Sequence, residues 1–207
     1  MNPEELNAQD RFILRQRIKL VINQYEFSLP QADSDEPGTP FCFVEQKRFK
    51  FKEDIRFFTD DSKQNELLRI KARQRFDPRA RYDVTGVGGE KIGQIQKAFG
   101  KSLLRSTYLL YGANDEELAT VNEKNLPVAI FRRIVGFIPF IGGFADLMPI
   151  AYDFEFRHGE ELLGTNTRRR WKFRDVYTID MSPDAERTVD RRLVLALAVG
   201  QDALQAR

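Results

Sequence analysis

Hydrophobic and polar residues alternate in short runs along most of this chain. In Arg48-Phe49-Lys50-Phe51-Lys52 every second side chain is aromatic and the others are cationic. Arg69-Ile70-Lys71-Ala72-Arg73 repeats the pattern with aliphatic residues, and Arg170-Trp171-Lys172-Phe173-Arg174 echoes the first run. A period of two sends successive side chains to opposite faces of a strand, so each run predicts a strand with one apolar and one wet face. Antiparallel sheets are built from such strands. Turn-forming residues separate the runs at Asp60-Asp61-Ser62, Gly86 to Gly89, Gly112 to Asp115 and Arg157-His158-Gly159.

The runs recur at a near-constant interval. Apolar anchors at Val44, Ile70, Ile95 and Val121 are separated by 26, 25 and 26 residues, and a basic residue follows each (Lys47, Arg73, Lys97, Lys124). A fixed period of this size marks one supersecondary unit used several times. Upstream, residues 12–27 mix alternation with β-branched and aromatic residues and predict one or two strands. Residues 28–40 hold three prolines, Gly38 and three acids, and predict a loop.

Two segments break the rhythm. In residues 128–151 the stretch from Ile134 to Ile150 is apolar, but Gly136, Pro139, Gly142, Gly143 and Pro149 leave no room for a long straight helix. It reads as an apolar lid or a bent helical insertion. Arg132, Arg133 and Asp146 argue against a membrane span, because such charges are costly in a bilayer. Phe137, Ile138, Phe140, Ile141 and Phe144 make it the candidate interface with a protein partner or a second copy.

The other exception is the C-terminal region. Ser182 followed by Pro183 suits a helix start, and Asp184 and Glu186 suit the positive end of a helix dipole, predicting a helix over about 183–205. Leu193 to Val199 is apolar on every side, so the helix must be buried all round. The inside of a closed sheet is one place in a β protein that meets this need.

Composition narrows the function. With 207 residues, 42% of them hydrophobic, and 17 Phe, the chain supports one domain over 11–207 preceded by a tail at 1–10. A net charge of +2 provides no global field for nucleic acid, and none is expected as a partner. Cys42 is the sole cysteine and no apolar leader follows Met1, so the expected location is cytoplasmic. One His (His158) and one Cys cannot make the usual zinc site, and the sequence gives no support to a Cys/His dyad. The glycines of 85–93 lack the Gly-Lys-Ser/Thr of a phosphate-binding loop and read as a turn. No enzyme signature stands out.

These residues resemble the LURP-one-related and phospholipid scramblase families of the tubby C-terminal-like group. The resemblance rests on the repeats around Val44, Ile70 and Ile92 to Ile95, on Trp171-Lys172-Phe173, on Tyr177 to Asp180 and on the stretch from Arg192 to Asp202. It covers about residues 11–205. The fold it implies is mainly β, a tubby-like closed antiparallel barrel of about twelve strands enclosing a hydrophobic C-terminal helix. The strand count comes from the resemblance alone. It implies no catalytic activity, and it implies binding to anionic lipid headgroups or phosphoinositides at a membrane surface. The cysteine-rich palmitoylation segment of animal scramblases is missing here.

Two side-chain sets carry the candidate chemistry. Lys47, Arg48, Lys50 and Lys52, with Arg69, Lys71, Arg73 and Arg75 on a neighbouring strand, would form one basic field. That field suits an anionic lipid head, an inositol phosphate or an acidic partner. The same pattern equally suits a solvated face that prevents edge-to-edge pairing. Asp180, Asp184, Glu186 and Asp190 stand where scramblases carry an acidic segment, which implies a calcium set and makes calcium the one cofactor to consider. Their spacing alone reads as helix-terminal charge and a solvated turn. The expected function is a non-enzymatic binding module, peripheral to membranes, or alternatively a soluble adaptor or homo-oligomer using 128–151.

Overall fold

Alternation becomes twelve antiparallel strands in a computed structural model, which describes residues 1–18, 22–32, 34–47, 54–72, 81–98, 106–124, 153–169 and 176–205. The strands are β1 (Arg11–Ile18), β2 (Ile22–Pro30), β3 (Pro37–Lys47), β4 (Asp54–Phe58), β5 (Glu66–Ala72) and β6 (Arg81–Gly86). They continue as β7 (Lys91–Lys97), β8 (Thr107–Tyr111), β9 (Glu117–Glu123), β10 (Phe154–His158), β11 (Glu161–Arg168) and β12 (Val176–Asp180). Each strand pairs with its neighbours in sequence, and β12 returns to β1 to close the barrel. The closing seam runs from Arg11 opposite Asp180 to Arg15 opposite Val176.

The repeat is a hairpin. Val44, Ile70, Ile95 and Val121 fall on β3, β5, β7 and β9, and all four are buried. An interval of about 25 residues therefore spans two strands and two connections, and it returns the chain to the same barrel end in the same direction. The four predicted turns fall at the β4–β5, β6–β7, β8–β9 and β10–β11 connections, although Gly86 is the last residue of β6, and Arg157 and His158 are the last residues of β10. Gly89 (φ +78°) and Gly159 (φ +57°) occupy the left-handed region that favours glycine.

A helix fills the barrel. Leu193, Val194, Leu195, Leu197 and Val199 of α2 (Arg191–Gln205) are fully buried, against a wall that includes Phe12, Phe27, Phe57 and Phe156. Burying one such aliphatic side chain contributes about 1.5–3 kcal/mol. At Gly93 of β7 the wall leaves no room for a side chain beside the helix. A Cβ there would run into the Tyr111 carbonyl oxygen and lie 3.1 Å from Leu193 Cδ2.

Three expectations change. Residues 1–10 are more than a tail, because Pro3–Asn7 form a short helix, α1, whose Leu6 is fully buried in the core. The loop at 28–40 shrinks to 31–36, since β2 runs to Pro30 and β3 begins at Pro37. The terminal helix starts at Arg191 rather than 183. The backbone N–H groups of Thr188 (2.8 Å) and Val189 (3.2 Å) donate to the Asp184 carboxylate, holding this segment in a loop where Arg187 has φ +57°. Asp190 caps the helix instead: its Oδ1 accepts the Arg192 N–H at 2.8 Å and its carbonyl accepts from Leu193 at 2.9 Å.

Sequential pairing gives the barrel two distinct ends. The even-to-odd connections are short turns and share their end with α1 and the start of α2. The odd-to-even connections leave from the opposite end, toward which α2 runs.

Candidate functional site

At the turn end, Arg191 is the organising group. Its guanidinium is wholly buried and donates to Asp184 Oδ2 (2.6 Å), to the carbonyls of Val189 (2.9 Å) and Asp184 (3.2 Å), and to that of Gln9 (3.1 Å). Its backbone N–H donates to Asn7 Oδ1 at 3.0 Å, which ties α1 to the first turn of α2. Burial alone would push the Asp184 carboxyl up. The hydrogen bonds from Arg191, Val189 and Thr188 outweigh that and hold it below the usual carboxylate range. Arg187 adds an ion pair to Asp10 and donates to the Ala8 carbonyl at 3.0 Å.

The four candidate calcium acids do not converge. Asp184 faces inward to Arg191, whereas Asp190 pairs with Arg192 at 2.8 Å. Asp180 Oδ1 accepts from the Ser182 N–H (2.9 Å) and hydroxyl (2.6 Å), while its Oδ2 lies 3.7 Å from Arg11. Glu186 is exposed. Among the described residues no group of three or more His, Cys, Asp or Glu is placed to hold a metal ion.

The cationic candidates divide differently. Lys47 ends β3, and Arg69 and Lys71 lie on β5, but β4 stands between those strands, so they are not the neighbours the sequence suggested. Lys71 pairs across the sheet with Asp54 on one side and Asp83 on the other. Arg69 is opposite Arg56, which in turn is opposite Glu45 and lies 3.9 Å from Glu66. On the described wall the cations are thus interleaved with acids. Arg48, Lys50, Lys52, Arg73 and Arg75 lie outside the described residues, as do Phe137, Ile138, Phe140, Ile141, Phe144 and the whole of 128–151.

The nucleophile candidates separate as well. Cys42 is buried in the barrel core, where burial pushes its thiol far up. His158 is exposed at the turn end and its Nδ1 donates to the Leu118 carbonyl at 2.9 Å. The predicted turn around Gly86 to Gly89 is a turn, closed by Gly86 N–H donating to the Glu90 carbonyl at 2.9 Å.

Residues 42–202 match the family described as LURP-one-related. The chain belongs to that family. The match runs from the second half of β3 into α2, and so contains nine of the twelve strands whole, part of β3 and all of the buried helix stretch. No curated protein matches the chain. A LURP-one-related barrel with a packed interior agrees with a binding module that performs no catalysis. Among the described residues no helix is long and apolar enough to cross a membrane.

The clasp of Asp184, Arg191, Asn7 and Gln9 has no local signature in the sequence. By pattern alone Asp184 reads as helix-terminal charge and residues 1–10 as a tail. A signal for α1 is present: Asn2-Pro3-Glu4-Glu5 forms a capping box, with Asn2 Oδ1 accepting from the Glu5 N–H (2.8 Å) and Glu5 accepting from the Asn2 N–H (3.0 Å).

Proposed function

We propose that this LURP-one-related barrel is a non-enzymatic binding module that docks on anionic lipid headgroups, phosphoinositides included, through the end where the odd-numbered strands finish. The observation that carries this reading is the distribution of charge between the two sets of connections. Residues 31–36, 59–65, 87–90, 112–116 and 159–160 join strands at the turn end and contain nine acids and one cation. Residues 19–21, 48–53, 73–80, 98–106, 124–153 and 169–175 join strands from the other end and contain sixteen cations and five acids; one of those cations, Arg169, reaches back to pair with Asp35 and Glu36 of the acidic set and does not count toward the docking end. A net charge of +2 conceals this polarity along the barrel axis. Each cation brought near an anionic bilayer is worth about 1 kcal/mol. The apolar Ile134 to Ile150 belongs to the same set of connections, and its aromatic and aliphatic residues suit the headgroup boundary.

Co-sedimentation with liposomes tests the proposal. Binding to phosphatidylcholine vesicles containing phosphatidylserine or a phosphoinositide, fading as salt rises, is the expected result. No binding to any anionic vesicle at low salt overturns it. Scramblase-like movement of lipid would need a separate assay of headgroup exposure in the same vesicles.

The apolar stretch also supports a second reading, a protein adaptor or homo-oligomer that uses 128–151. Analytical ultracentrifugation of the full chain against a variant lacking 134–148 distinguishes the two. Self-association that the deletion abolishes, without vesicle binding, would favour this second reading.

A further inference from the structure

Where α2 nears the other end of the barrel, the inner wall changes character. Ser106, Glu123, Phe154 and Asn166 form one cross-strand row over β8 to β11, and three of the four are polar although all are buried. Gln201 of α2 meets this row: Asn166 Nδ2 donates to Gln201 Oε1 at 3.0 Å. Asn166 is 2% exposed and Gln201 5% exposed.

The amide pair is only half made. Asn166 Oδ1 and Gln201 Nε2 are both buried and neither has a hydrogen-bond partner among the described residues. Among the described residues their neighbours by register offer none. Phe154 and Ile179 flank Asn166 on the adjacent strands, and Leu197 and Ala198 precede Gln201 by one helical turn. An unfilled acceptor and an unfilled donor beside one shared hydrogen bond call for a ligand that donates once and accepts once. Water is the smallest such group, and buried waters settle where two or more polar atoms would otherwise go unsatisfied.

We infer that a bound water bridges Asn166 Oδ1 and Gln201 Nε2, donating to the first and accepting from the second. The helix is thereby held by apolar packing through Val199 and by a hydrated polar link beyond it. Water is an adaptable joint, so this link fixes the rotation of α2 without demanding the close fit that Gly93 provides at Leu193.

Nuclear magnetic resonance on the full chain tests the site. A long-lived water should give cross-relaxation peaks to the side-chain amide protons of Gln201 and Asn166 in the wild type. In Gln201→Met, an apolar side chain of similar length, the peak at Asn166 should disappear. Absence of any water peak at either amide in the folded wild type overturns the bridge. So does an Asn166 water peak that persists unchanged in Gln201→Met. The wild-type measurement decides alone if the variant does not fold.

Discussion

The Arg191 guanidinium and the Asp184 carboxylate meet at 2.6 Å with both side chains withdrawn from water, at the point where α2 enters the barrel. The two are seven positions apart in sequence, and the chain between them turns through a loop that the pair itself holds shut. Removing one partner leaves an uncompensated buried charge, which costs about 3–5 kcal/mol. Arg191→Met and Asp184→Ala should each lower stability by about that amount in urea titration. The double variant should be less damaged than the sum of the two, because no lone charge remains.

Acid should expose the same pair. The folded-state value of Asp184 lies below that of the unfolded chain, about 3.9, so its contribution is complete above that pH and is lost as pH falls toward the folded-state value. Thermal unfolding followed from pH 6 down to pH 2 should show falling stability at the acidic end. Asp184→Asn should flatten that slope while lowering stability at neutral pH. An equal acid slope in wild type and variant would show that other carboxylates govern it.

Leu6 tests whether α1 is part of the barrel. It is fully buried with the core residues, so Leu6→Ala should cost about 2–5 kcal/mol through lost burial and the cavity left behind. A solvated tail would lose nothing measurable. Chemical denaturation of the two proteins side by side distinguishes these outcomes.

Gly93→Ala should destabilise by about 1–3 kcal/mol, because the added methyl meets a backbone oxygen that cannot swing away. Leu193→Ala in the same background should recover little of the loss, since the tighter contact is with Tyr111 rather than with the helix. Calorimetric melting of the single and double variants provides the comparison.

Charge removal should affect lipid docking by location. Lys50→Gln with Lys52→Gln should weaken partitioning onto anionic vesicles by about thirtyfold, at roughly 1 kcal/mol per cation. Lys71→Gln should change it little, because Asp54 and Asp83 stand opposite Lys71 on the two neighbouring strands. Quantitative co-sedimentation with the three proteins measures both effects.

The sequence disclosed the barrel well because alternation, turn chemistry and a helix apolar on all sides each demand the same enclosure. Val44, Ile70, Ile95 and Val121 mark every second strand because a hairpin returns the chain to an equivalent position. What pattern could not supply was pairing at long range. β4 between β3 and β5 divides the cations that looked adjacent, and nothing local in Lys71 announces that Asp54 and Asp83 will face it. The start of α2 departs from local propensity for a related reason. Ser182-Pro183 is a good helix start by propensity, but Asp184 takes the amides of residues 188 and 189 to satisfy itself beside Arg191. Tertiary demand outweighed local preference there.

The β1–β12 seam has a consequence for how the chain must be assembled. Arg11 and Asp180 are the first and last residues of the sheet, yet they face one another. Every other strand pairing can form from neighbours in sequence, but this one waits until all twelve strands have been made. Until then the growing sheet has two unprotected edges, and the helix that fills it has not yet been synthesised. The barrel therefore stays open until β12 has been made, and α2, which follows β12 in the chain, covers the inner wall only after that.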